Sequence, residues 1–165
     1  MSLLPILTAS PMIQLHIAAA LVALFLGPFA LYRARRDRLH KVLGYTWVLA
    51  MAITALSSFF IHSFPVIGPF SPIHLLALFA LWSLYEGMRH IFAGRVGPHR
   101  LVMRSLYWNG LIVAGLFNFL PGRTTNRVFF GAAPELGYVV MAIGLTGVVV
   151  LALRTRRAVA VVRQA

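Results

Sequence analysis

The chain predicts an all-α integral membrane protein, a bundle of five transmembrane helices with its amino terminus outside and its carboxyl terminus inside. Three observations carry that prediction. Hydrophobic residues make up 60% of the 165, and only 11% are charged, against about a quarter in soluble domains. The apolar residues gather in five stretches, 11–32, 43–64, 72–93, 102–120 and 135–153, each close to the ~20 residues that cross a ~30 Å hydrocarbon core. The segments between them alternate in charge. With the amino terminus outside, thirteen of the fifteen Lys and Arg residues fall inside. They are Arg33, Arg35, Arg36, Arg38 and Lys41 in the first inner loop, Arg89, Arg95, Arg100 and Arg104 in the second, and Arg154, Arg156, Arg157 and Arg163 in a basic tail spanning 154–165. Arg123 and Arg127 alone fall outside. Positive residues near span ends set orientation, so this asymmetry predicts an odd number of spans in a single transmembrane domain. The net charge of +12 is then explained by loops and tail facing anionic lipid, and no nucleic acid partner is required.

The first span opens at Pro11 and carries small residues, Ala19, Ala20, Ala23, Gly27 and Ala30, at helical spacing. In lipid such a stripe lets another backbone or a flat ligand approach closely. Gly27 and Pro28 predict a kink in its inner half. The opening MSLLPILTAS has no basic n-region, so the first span is expected to stay as an anchor. The second span places Thr54, Ser58 and His62 at i, i+4 and i+8, a polar face turned to the bundle interior. The segment SFPVIGPFSP reads as an outer loop, with Ser71 as N-cap and Pro72 opening span three. Span four carries Gly110, Ala114 and Asn118 and stops at Pro121-Gly122. Span five is apolar all round and faces lipid. Tyr45, Trp47, Tyr107 and Trp108 fall near the inner interface, as in an aromatic belt.

Histidine placement is the main pointer to chemistry. The chain has six histidines, three acids and no cysteine, which excludes disulfides and thiolate metal sites. His16, His62 and His74 lie within about two turns of the outer boundary on three different spans. Histidines at one depth on different helices can ligate a haem iron axially, and three can make an open metal site. His40, His90 and His99 fall at the inner boundary, where His40 and His99 precede spans two and four and form the natural inner pair. Glu86 and His90, at i and i+4, share a helix face and read as a proton relay or as a carboxylate neutralised by Arg89 or His90. Nothing resembles a nucleophile–base–acid set, a phosphate loop or HExxH.

The strings HKVLGYTWVLAMA, SSFFIHSFPVIGPFSPIHLLALF, HRLVMRSLYWNG and LIVAGLFNFLPGR resemble the bacterial predicted membrane protein family labelled domain of unknown function 2306. The likeness runs from about Gln14 to Gly131, leaving span five and the tail outside it. It implies a multi-pass protein of the bacterial cytoplasmic (inner) membrane without an assigned biochemical role. The family's histidines correspond to His16, His40, His62, His74 and His99, and its PGR turn to Pro121, Gly122 and Arg123. Glu86 and His90 lie outside that pattern. Lys41 stands where the family commonly has Arg, and Asn118 where it has Thr.

These readings converge on a histidine-ligated haem b or metal-binding redox protein of the membrane. His16, His62 and His74 are the expected outer ligands, for a metal ion if not for haem, and His40 with His99 the inner pair. A quinone or another membrane protein is the expected electron partner, and separately the chain is a candidate homo-oligomer. Two alternatives differ in class: a small transporter whose Thr54, Ser58, His62 and Asn118 line a polar path, and an accessory subunit that binds other helices and needs no cofactor.

Overall fold

The computed structural model describes residues 2–61 and 72–164, with side chains for 2–61 and 74–153. Every described element is helical: α1 Leu4–Leu7, α2 Pro11–Tyr32, α3 Arg38–Ser58, α4 Pro72–Phe92, α5 Val96–Ser105, a π-helical segment Leu106–Ile112, α6 Val113–Phe117, α7 Thr124–Phe130 and α8 Leu136–Gln164. Three of these, α2, α3 and α8 as far as Leu153, are long and apolar enough to cross a membrane. The all-helical membrane class expected from composition is thus present.

Helix bounds differ from the apolar stretches for local reasons. The second span begins at Arg38 rather than residue 43, because Asp37 caps it by accepting the His40 N–H at 3.0 Å. That bond satisfies one of the open donors of the first turn. It ends at Ser58, and His62 and Ser71 lie outside the described residues. The helix at the fourth apolar stretch begins at Val96 rather than 102, since Gly94, at φ 71°, turns the chain straight out of α4. There the Arg95 N–H reaches the His90 carbonyl at 2.8 Å and the Gly94 N–H the Ile91 carbonyl at 3.0 Å, a glycine stop that satisfies the last carbonyls. The backbone of α8 stays helical to Gln164, through the basic residues set apart as a tail.

The contacts divide the chain into two compact units, residues 4–114 and residues 115–165 with 1–3. In the first unit the small stripe of α2 is buried at Ala19, Ala23, Gly27 and Ala30. Its occupants are side chains of the same unit. A Cβ on Gly27 would collide with the Tyr107 ring and approach the Trp47 indole nitrogen, so the space a flat ligand might have used is taken. Pro28 has no N–H to offer the Leu24 carbonyl four residues back, and the Tyr107 hydroxyl donates to that carbonyl at 3.2 Å. The Trp47 indole N–H donates to the neighbouring Ala23 carbonyl at 3.0 Å. Trp47 and Tyr107 are therefore core residues, 1% and 5% exposed, rather than members of an aromatic belt.

In the second unit Asn126, fully buried, donates both amide hydrogens, to the Phe119 carbonyl at 2.7 Å and the Pro134 carbonyl at 2.8 Å. Gly137 lies against the same Phe119 carbonyl, where a Cβ would clash, and Gly144 admits Leu116. These contacts set the start of α8 against the preceding turn.

Candidate functional site at the basic end of the first unit

Four helices of the first unit enclose a cavity of about 260 Å³ at the end where α2 turns into α3 and α4 into α5. Two predicted histidines line it. His40 comes from the first turn of α3, which Asp37 caps. His99 comes from the start of α5, returned toward α4 by the Gly94 turn. The apolar wall is Ala30, Trp47, Met88, Ile91 and Met103. Gly44, one turn beyond His40, borders the cavity, and a Cβ there would meet nothing within 4 Å.

The two imidazoles are held differently. His99 Nδ1 lies 2.8 Å from the Gly87 carbonyl. A carbonyl can only accept, so Nδ1 carries a proton, and in the neutral ring it is Nε2 that holds the lone pair. Such a bond orients a ligating imidazole and raises its basicity. His40 Nδ1 is buried and bonded to nothing among the described residues.

Arg33, Arg36, Lys41 and Arg100 add positive charge to the lining. Arg33 is committed to Asp37, reaching Oδ1 through Nε at 3.1 Å and Oδ2 through Nη2. The Arg33 guanidinium, with the His40 N–H, holds the Asp37 carboxyl down to about 2. For Arg36, Lys41 and Arg100 there is no carboxylate partner among the described residues, so the cavity mouth carries uncompensated positive charge.

The outer set fares otherwise. His16 Nδ1 is 2.9 Å from Ser57 Oγ, and that hydroxyl donates to the Thr54 carbonyl at 3.1 Å. A hydroxyl has one proton, so here too Nδ1 is the donor, and in the neutral ring Nε2 is the acceptor. His74, 4% exposed, stacks on Phe59 with ring centroids 5.6 Å apart. Both therefore pack on the same end of α3, and His62 falls outside the described residues. Among the described residues no three His, Cys, Asp or Glu side chains gather as a metal site. The hydroxyls expected to line a polar path instead bond backward along their own helix, Thr54 to the Ala50 carbonyl at 2.8 Å and Ser58 to that of Ala55 at 2.7 Å. Glu86 accepts from Arg89 at 2.9 Å, with His90 Nε2 at 3.8 Å. It is thus a neutralised carboxylate.

Sequence reasoning named the two cavity histidines. It assigned Arg36, Lys41 and Arg100 to topology alone and overlooked Gly44. The i, i+4 spacing of His40 and Gly44 was the available signal, since a glycine one turn from a histidine leaves its ring face uncovered.

No curated protein and no solved structure matches the chain. The profile of one family does match, over residues 13–155, so the likeness extends through the apolar part of α8 and beyond the segment that the quoted strings span. The chain belongs to the predicted membrane protein family DUF2306.

Proposed function

We propose that this is a five-span protein of the bacterial inner membrane, amino terminus outside, that carries a histidine-ligated redox cofactor at its basic, cytoplasmic end. The observation that supports this reading is one cavity lined by two imidazoles, of which His99 is oriented by the Gly87 carbonyl with Nε2 left basic. Two protein nitrogens are fewer than the three or four protein ligands that a zinc ion takes. They are the number a haem iron takes axially. The donor set therefore fits haem b better than a bare ion, with Arg36, Lys41 and Arg100 available to its carboxylates and Trp47, Ile91 and Met103 to its faces. At about 260 Å³ the cavity is below the ~300–1,000 Å³ usual for small-molecule sites, so a macrocycle would be enclosed only in part. Bound there, the group supplies one-electron chemistry, exchanged with a quinone or another membrane protein.

Topology and cofactor are tested separately. A reporter fused after Ala165 is expected to be active only in the cytoplasm, and one inserted at Pro69 only outside. The absorption spectrum and metal content of the detergent-purified protein decide the cofactor. A Soret band lost in His40→Ala and His99→Ala but kept in His74→Ala supports the inner site. Loss only in His74→Ala moves the ligand to the outer histidines. No band and no metal in wild type removes the redox reading.

A further inference from the structure

A second concavity lies on the other side of the α2–α3 turn. It is a groove of about 480 Å³ lined by Leu26, Pro28, Phe29, Leu39 and Leu43, with Tyr32 and Arg33 at one end. Its apolar part runs from Arg33 back to Leu26, seven residues or about 10 Å of helix. Phe29, 66% exposed, stands open on its flank. The polar end is a fixed assembly. Arg104 lies over the Tyr32 ring, 4.7 Å from its centroid, and the Trp108 indole N–H donates to the Tyr32 oxygen at 2.8 Å. The phenol oxygen is thereby used as an acceptor, and its own proton has no acceptor among the described residues. The groove thus ends in a free O–H donor beside two guanidiniums, with Arg35, Arg36 and Arg38 on the adjoining turn and Asp37 as the one acid there.

We infer that this groove is a binding site for one anionic phospholipid. Its acyl chain lies along Leu26, Phe29 and Leu43, and its phosphate accepts from the Tyr32 O–H and the unused N–H groups of Arg33. The polarity of the groove matches that of a lipid in a leaflet: charge and aromatic donors at the helix end, aliphatic side chains deeper along a helix that can span the membrane. Charge complementarity selects the headgroup. A zwitterionic lipid would bring its own cation into a turn that already holds five arginines or guanidinium neighbours against one carboxylate, whereas an anionic lipid relieves that excess. This inference rests on the membrane class of the protein and is independent of any cofactor at His40 and His99.

Native mass spectrometry of the purified full chain, exchanged into mixed micelles with equal phosphatidylglycerol and phosphatidylcholine, tests it. One phosphatidylglycerol is expected to remain per chain, preferred at least about tenfold. Tyr32→Phe, which removes the O–H donor together with the acceptor of the Trp108 N–H, should weaken retention about fivefold, the value of one hydrogen bond to the lipid, with circular dichroism unchanged. Leu43→Trp, which fills the apolar part without changing charge, should abolish retention while circular dichroism stays unchanged. Equal retention of the two lipids, or full retention in Leu43→Trp, would overturn the groove assignment. So would a dimer in wild type that Leu43→Trp dissociates with no lipid bound, since the groove would then be an interface between copies.

Discussion

The middle of the first unit and its basic end are built from the same helices, yet they treat polar atoms in opposite ways. In the middle, the break that Pro28 makes in helical bonding is closed. Pro28 leaves the Leu24 carbonyl without its usual donor and Tyr107 supplies one, while Gly27 makes the room for that ring. At the basic end, the Nδ1 of His40 is buried without a partner and three cations have no counter-ion among the described residues. A buried polar atom without a partner calls for an explanation. Asn126 Oδ1 in the second unit is another such atom, but among the described residues only at His40 does it coincide with a cavity and with cations lacking counter-ions, and the proposed site rests on that coincidence.

That contrast can be broken in four ways. The largest expected effect is on occupancy: on the proposed reading, in which the His99 ring serves a cofactor rather than the core, His99→Ala should abolish cofactor binding at the basic end and leave the thermal unfolding midpoint in detergent within a degree or so. A fall of many degrees would make His99 a packing residue. The reverse pattern is expected of Gly27→Val, which forces Tyr107 and Trp47 out of place and should cost about 3 kcal/mol, the upper range for overpacking, with ligand content per folded chain unchanged. Tyr107→Phe orphans the Leu24 carbonyl and should cost ~1–2 kcal/mol. Adding Pro28→Ala restores the backbone donor, so the double variant should recover most of that loss, and strict additivity in the unfolding cycle would refute the pairing. The smallest effect belongs to Asp37. Its carboxyl is held down to about 2 by Arg33 and the His40 N–H, against ~3.9 in an unfolded chain. Its contribution is complete above pH ~3.9 and is lost as the pH falls toward 2. Amide exchange in the first turn of α3 should therefore quicken over that acidic window, and Asp37→Asn should flatten the dependence.

Much of this architecture was legible in the sequence because membrane helices announce themselves by length and apolarity, and because the small stripe from Ala19 to Ala30 can only be a contact face. The inner pair His40 and His99 was legible too, from depth and from the loops they border. What escaped was set by chain direction at single residues. Asp37 starts its helix five residues before the apolar run does, and Gly94 starts the next one six residues early. Neither leaves a mark on hydropathy. Trp47 and Tyr107 were misplaced for a related reason: an aromatic near a span end reads as interfacial unless its donor is known to meet a carbonyl inside. The need for such a donor could have been read from Pro28, since a proline within a helix always leaves one carbonyl to be satisfied.

The π-helical segment Leu106–Ile112 gives the fourth helical run a tolerance its neighbours lack. A bond pattern reaching five residues rather than four stores one residue more per turn than the α-helix on either side. Loss of one residue elsewhere in a span rotates everything beyond it by about 100° and swings buried faces outward. Between Tyr107 and Leu111, both buried, the same loss would let the turn tighten into α geometry with its two ends still facing inward. Length changes along this protein are therefore not equivalent, and this is the stretch where the bundle can absorb one.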